Sequence, residues 1–406
     1  MRAYPAAALA ALILLTGSPL AAAPRKKQRL RLRVVSWNVW GIPWGLSKQR
    51  AERIAAIGPA LAQLKPDVVA LQEVWVTEDG EALSSVLAAA GLTHSVHESE
   101  GLLGSGLLIA SRYPLERHTF VPYEQVGKLH KPYHGDAWAR KGFLEVQVRT
   151  PMGVVRLFDT HLHAGYGSKE YLHVQTAQAL QLSSAVGDLG ARPPPQRDDP
   201  ARPPLLLLGD LNATLTSLPF QLLRARCDLT PASETLDIDW VLLRDGGGAR
   251  WRVRKVTQAL TEDVDLPGGA RALSDHPAIV ADLELIRGGP LKWAPKTVAL
   301  TWKAAASKAY PWIEAQRDAA GLRSSRWTRR AIILTLLGSL LMFAAHKLRK
   351  KKASCLIALG SMLFLHLAVW AMYLGVIHER VEEAGLSAAL HRARDGAPPA
   401  PAAETE

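Results

Sequence analysis

Residues 273–279, LSDHPAI, set a carboxylate beside an imidazole at Asp275 and His276, just ahead of the apolar run AIVADLEL. Alone, the Ser-Asp-His tripeptide reads equally well as a polar lead-in to a strand. Its weight comes from the polar positions upstream. Asp239 stands in IDWVLL, Asp210 and Asn212 in GDLNA, His161 in DTHLHA, Glu73 in LQEVW and Asn38 in SWNVWGIP. All lie at the margins of apolar runs, and strand ends are where α/β proteins gather their chemistry. Each has a plain alternative: a turn cap for Asn38, a solvated strand end for Glu73, a core histidine for His161, an Asx-type turn for Asp210 and Asn212. The ordered set Asn, Glu, His, Asp-x-Asn, Asp, Asp-His is hard to obtain by chance.

The runs themselves predict strands at 33–39, 67–72, 106–111, 143–149, 154–160, 205–209, 238–243 and 278–285. Between the first two, SKQRAERIAAIGPALAQL (47–64) has apolar residues at helical spacing, with Ser47 as a candidate N-cap and Pro66 discouraging continuation. A second helix is predicted over 169–187. Strands mixed with helices over this length indicate an α/β domain. The stretch ARPPPQRDDPARPP (191–204) reads as a surface connector, and no solenoid period is present.

The chain has 406 residues, 48% of them hydrophobic, and a formal net charge of +12. The location of that charge argues against a basic nucleic-acid groove. RKKQRLRLR (25–33) and residues 323–352 carry 6 + 9 = 15 basic residues, more than the whole excess. Such runs suit membrane flanks better than a phosphate-tracking surface. Two cysteines, Cys227 and Cys355, make neither a disulfide framework nor a cysteine metal site.

Residues 1–23 have the grammar of a secretory signal, with an uncleaved N-terminal anchor as the alternative. After a catalytic domain at 30–286 and a linker at 287–328, two apolar runs follow at 331–345 and 353–377, joined by a basic loop at 346–352. They predict a transmembrane hairpin with the basic loop on the cytoplasmic side and the catalytic body on the extracytoplasmic face. Residues 378–406 are predicted to be a flexible tail.

The ordered motifs resemble the endonuclease/exonuclease/phosphatase superfamily. NVWGIP with SKQRAER, then GSGLLIASRYP, HGD with a Lys five positions on, THLHA and LSDHPA resemble the neutral sphingomyelinases within it. The resemblance covers roughly residues 30–286. It implies a four-layered α/β sandwich of two mixed sheets flanked by helices, and a single Mg²⁺ (Mn²⁺ as the alternative) held by Glu73 with Asn38 and Asp275 nearby, a donor set suited to a hard cation. It places Asp210 and Asn212 at the phosphate. His276, held in one tautomer by Asp239, would handle the proton of the attacking water, and His161 would stabilise the phosphate or assist the leaving group. Whether Asp210 or His276 is the base stays open. Asp136 and Lys141 match an Asp-x-x-x-x-Lys pair that rearranges as the site assembles, with a solvated loop ion pair as the plain alternative. Trp40 and Trp44 are read as lipid contacts or core residues, Lys48 and Arg50 as helix-surface charges, and Asp159 and His163 receive no firm role.

The resulting expectation is a membrane-anchored, Mg²⁺-dependent phosphodiesterase of phospholipase C type, splitting sphingomyelin into ceramide and phosphocholine. Another sphingolipid or lysophospholipid head group, or nuclease action on the same fold, is the alternative, although no nucleic acid is expected as partner. An inactive membrane scaffold is the reading from a different class.

Overall fold

A computed structural model describes residues 28–99, 104–128, 136, 139–166, 171–187, 202–287, 301–347 and 351–394, the last from the backbone alone over 351–354. In chain order, β1 (Gln28–Asn38), α1 (Arg50–Gln63), β2 (Val68–Gln72), α2 (Thr77–Ala89), β3 (His94–His97), β4 (Leu108–Ser111) and β5 (Leu115–Pro122) come first. Then follow β6 (Gly142–Thr150), β7 (Gly153–His161), α3 (Leu172–Val186), β8 (Leu205–Asp210), α4 (Leu218–Cys227), β9 (Thr230–Pro231) and β10 (Asp239–Arg244). β11 (Ala249–Ala259), the short pair β12 (Asp263–Val264) and β13 (Arg271–Ala272), and β14 (Ala278–Arg287) complete the sheets.

Two six-stranded mixed sheets result, ordered β11-β14-β1-β2-β4-β3 and β5-β6-β7-β8-β10-β9. Period-two alternation explains how they pack. On β1, Leu32 and Val34 face the core between the sheets with Val68, Leu144, Val146, Leu157 and Leu206, while Val35 and Trp37 point the other way, against Ile57 and Leu61 of α1 and Leu83 and Leu87 of α2. Each of those buried aliphatic side chains contributes about 2 kcal/mol of transfer free energy. α3 and α4 cover the outer face of the second sheet, giving the four layers α/β/β/α that the resemblance implies.

Ser47 is not an N-cap. Its hydroxyl donates to the Ile42 carbonyl at 2.6 Å, tying down the loop, and α1 starts at Arg50. The C-terminal region corrects two expectations. Residues 302–328, read as linker, form the first half of α5 (Trp302–Lys347), a single 46-residue helix of which 331–345 is only the last part. The tail over 379–394 is helix α7 (Glu379–Arg394), reached from α6 (Lys351–Met372) through a π-helical stretch, Tyr373–His378. The physical reason is a third apolar cluster. Leu386, Ala389 and Leu390 of α7 meet Ala305, Ala309 and Ile313 of α5 and Ala177, Leu180 and Leu222 of α3 and α4, all buried. The basic loop is shorter than expected, since His346 and Lys347 belong to α5, and Lys351 and Lys352 to α6. Residues 1–23, 191–201 and 395–406 lie outside the described part.

The apolar halves of α5 and α6 are long and apolar enough to cross a membrane, and only 17% of each apolar window is buried. Ile332, Ile333, Leu336, Leu340, Leu356, Leu359 and Leu363 are all exposed. The two helices approach closely at Gly338, whose carbonyl accepts a 2.6 Å hydrogen bond from the Ser361 hydroxyl.

Candidate active site

Strand register assembles the site. β7 and β8 run parallel with His161 opposite Asp210, and β10 runs antiparallel to β8 with Asp239 opposite Asp210. Three polar residues far apart in sequence therefore stand in one row at the edge of the second sheet. Across the gap between the sheets, β1 ends at Asn38 and β2 at Gln72, with Glu73 the next residue. β14 starts at Ala278 antiparallel to β1, so the LSDHP loop before it arrives at the same edge. Within that loop, the Ser274 hydroxyl donates to the Asn38 carbonyl (2.6 Å) and the Trp37 indole N–H to the His276 carbonyl (2.9 Å).

The side chains form a continuous line. His276 Nδ1 lies 2.8 Å from Asp239 Oδ2, and its Nε2 lies 3.9 Å from Asp210 Oδ2. Asn38 Nδ2 donates both to that Asp210 oxygen (3.1 Å) and to Glu73 Oε1 (3.0 Å), so one amide bridges the two sheets. Asp210 Oδ1 accepts from the backbone N–H of Asn212 at 2.9 Å, and Asn212 is held at φ 46° with its own amide donating to the Leu162 carbonyl.

Burial and charge set the ionisation. Burial works against the His276 imidazolium, but the hydrogen bond and charge of Asp239, with Asp210 and Asp275 further out, outweigh it and push the pKa up to about 9. Burial and the Asp239 charge push Asp210 up to about 7, against the pull of His276 and Lys141. Burial also raises Glu73, against Lys141 and Asn38.

A divalent cation fits the Glu73 side of this cluster. Glu73 Oε2 is buried without a hydrogen-bond partner, the orphaned oxygen that a hard cation satisfies. Asp275 is exposed, and its charge is felt at Glu73. Asn38 differs from the expectation in one respect. Its Oδ1 accepts from the Trp40 N–H at 3.0 Å, so its amide nitrogen, not its oxygen, faces Glu73. Asp210, Asp239 and His276 also offer one ligand atom each within 4.8 Å of one another, and the His276–Asp239 hydrogen bond links two of these residues.

Asp136 and Lys141 are not a solvated loop pair. Both are buried, 2.5 Å apart, and Lys141 Nζ also contacts His161 Nε2 (2.9 Å) and the Leu162 carbonyl (3.0 Å). Burial alone would raise Asp136, but Lys141, His163 and His161 hold it well below the usual carboxylate range. Burial, reinforced by the Lys141 charge, depresses His161 well below its ordinary value. His163 stacks on Tyr171 at 4.2 Å and sits 3.5 Å from Asp136. Asp159 lies fully buried behind the site, accepting from Gln72 at 2.7 Å. Trp40 is half-buried under the Arg53 guanidinium, and Trp44 is exposed. Lys48 is exposed, and Arg50 pairs with Asp79.

Two residues that sequence reasoning missed hold the loop after β1. Arg53 is fully buried and donates to the carbonyls of Lys48, Val39, Leu273 and Trp40, clamping that loop to the LSDHP loop. Its signal was its place on the apolar face of α1, one turn before Ile57. Gly41 approaches Glu73 so closely that an added Cβ would lie 2.2 Å from the Glu73 carbonyl oxygen. Glu73 itself sits at φ 64°, which for a non-glycine residue is strained.

A two-sheet α/β sandwich with a carboxylate, amide and imidazole cluster gathered at one edge from both sheets defines the class. Within it, the chain belongs to the Endonuclease/Exonuclease/phosphatase family, whose pattern matches residues 35–276. It is similar to a Drosophila melanogaster protein named provisionally as a neutral sphingomyelinase, with 29% identity over 66% of this chain and 63% of that protein. It is 32% identical over 185 residues to human sphingomyelin phosphodiesterase 2, covering 45% of this chain and 41% of that one. An inositol phosphosphingolipids phospholipase C of Schizosaccharomyces pombe is 34% identical over 38% of this chain and 37% of its own length. The chain thus spans between about two fifths and two thirds of these relatives. The solved sphingomyelinase C of Streptomyces griseocarneus shares the fold, with a TM-score of 0.50 and 22% identity over 62% of this chain and 99% of that one.

Proposed function

We infer that the chain is a metal-dependent phosphodiesterase of phospholipase C type, anchored in a membrane by α5 and α6, that hydrolyses sphingomyelin to ceramide and phosphocholine. The observation that carries this reading is one cluster in which Asp239 bonds His276, Asn38 bonds both Asp210 and Glu73, and His276 Nε2 stands 3.9 Å from Asp210, so that an oriented imidazole and an open carboxylate oxygen share one site. Three relatives whose names specify a sphingolipid phosphodiester support the substrate class.

A phosphodiester is anionic and resists water, so hydrolysis needs an activated nucleophile, charge neutralisation and a stabilised leaving oxygen. Glu73, with Asp275 and the Asn38 loop beside it, would hold Mg²⁺, which supplies the charge neutralisation when bound. Asp239 fixes the His276 ring, and the Asp210 and His276 pair handles the proton of the attacking water. As the water oxygen bonds to phosphorus, the bond to the ceramide oxygen breaks and that oxygen takes up a proton on the His161 and Lys141 side. Asn212 orients a non-bridging oxygen.

In this reading α5 and α6 form a membrane hairpin with the basic 346–352 segment on the cytoplasmic side and the catalytic domain on the opposite face. Tethering raises the effective concentration of enzyme at a lipid surface. The fission yeast relative favours inositol-bearing sphingolipids as a second substrate reading. The deciding assay is phosphocholine release from sphingomyelin in mixed micelles, with Mg²⁺ or EDTA, beside His276→Ala, an inositol phosphosphingolipid and a plasmid-nicking control. Mg²⁺-dependent release that the variant lacks is the expected result. Nicked plasmid without lipid turnover would overturn the substrate class.

A further inference from the structure

A cavity of about 530 Å³ lies between α3 and the C-terminal helices, apart from the catalytic cluster. Trp312, Gln316, Arg323 and Trp327 of α5 line it from one helix face, spaced four, seven and four residues apart. Trp312 and Trp327 are therefore separated by roughly 22 Å along the helix axis, a groove rather than a pit. Its bilayer-side end, at Trp327 and Leu374, sits where the apolar half of α5 begins and the π-helical stretch lies. Tryptophan favours this interfacial depth.

The charged lining sets Lys128 and Arg323 against Glu379 and Glu382, with the His173 and His378 rings both beside Glu382. Arg323 donates to Glu379 (2.9 Å) and to Glu382 (2.8 Å), and Glu382 lies 3.2 Å from His173 Nε2. Both glutamates are at least nine-tenths buried, and the His173 ring meets the Trp312 ring edge-on at 6.3 Å. An anion would meet two carboxylates here, and a cation would meet Lys128 and Arg323. A zwitterion matches both.

We propose that this groove binds the zwitterionic phosphocholine-type head group of a bilayer lipid at a site separate from catalysis. The inference rests on the reading of α5 and α6 as membrane-spanning. The lipid enters from the bilayer side with its glycerol or sphingoid end at Trp327 and Leu374. Its phosphate meets the Arg323 guanidinium one turn deeper, a geometry that guanidinium favours. Its quaternary ammonium meets Glu382 beside the His173 ring, which Trp312 backs.

The test uses full-length protein, stripped in detergent, reconstituted with equal phosphatidylcholine and phosphatidylglycerol, re-extracted and weighed by native mass spectrometry. One phosphatidylcholine per chain is expected, with phosphatidylglycerol at least fivefold less. Trp312→Ala and Glu382→Gln should each reduce retention at least fivefold, and Glu73→Gln in the catalytic cluster should leave it unchanged. If Glu382→Gln does not fold, Trp312→Ala carries the comparison. Equal retention of the two lipids, retention indifferent to Trp312→Ala, or capture of free phosphocholine without the lipid would overturn the assignment. Flotation on phosphatidylcholine vesicles separates the two levels. A protein that does not float loses the membrane reading and this site with it, whereas one that floats without retaining lipid loses the site alone.

Discussion

His276 owes its chemistry to a neighbour 37 residues away in sequence. Asp239 binds its Nδ1 and raises its pKa to about 9, so the metal-free protein holds an imidazolium at neutral pH. This has a consequence for stability. A group whose folded pKa exceeds its ordinary value of 6.5 stabilises the fold fully below that value and loses the contribution as pH rises through about 9. Asp210, raised to about 7, acts in the same direction over a lower range. In EDTA, the melting temperature should therefore fall between pH 6.5 and 9.5 by the equivalent of about 3 kcal/mol, and His276→Ala should flatten that fall. A wild-type profile flat over this range contradicts the geometry. On activity, Asp239→Asn should reduce kcat by about 10²- to 10⁴-fold with little change in KM, the range for loss of an oriented proton-transfer group. A change confined to KM would assign Asp239 to binding instead.

At the scale of elements, the loop after β1 is held by α1 through Arg53 and pressed against Glu73 at Gly41. Gly41→Ala would drive its Cβ into the Glu73 carbonyl and shift the Glu73 carboxylate, whose Oε2 is open. Mn²⁺ affinity measured by calorimetry should fall at least tenfold, with the fold retained by circular dichroism. Unchanged affinity would mean that Glu73 is not the metal residue. Most of these elements could be read from periodicity: the segments at 33–39, 67–72, 154–160 and 205–209 all proved to be strands. β5 and β11 were missed for a physical reason. They are edge strands, LERHTFVP and ARWRVRKVTQA, largely exposed and studded with charge, so they lack the apolar run that marks a central strand.

For the whole molecule, α7 returns from the apolar helices and packs on the two-sheet domain, so the two regions share one apolar cluster. Leu386 is fully buried there against residues of α3, α4 and α5. Leu386→Ala should destabilise the two-sheet domain by about 2–5 kcal/mol in a thermal melt, although it lies more than a hundred residues beyond His276. A melt unaffected by the substitution would show that the C-terminal helices are an independent unit.

Sequence alone determined the class of fold, the apolar helices and the residue types of the site, because periodicity and strand-end motifs are local properties of a chain. The burial of Asp136 with Lys141 and the role of Asn38 as a bridge were decided only by tertiary structure, which also gave the expected His276–Asp239 pairing its geometry. They depend on strand register across two sheets, where a shift of one residue would turn each side chain to the opposite face. The docking of α7 was hidden for a similar reason: Ala305, Ala309 and Ala389 are weak apolar signals until three helices close around them.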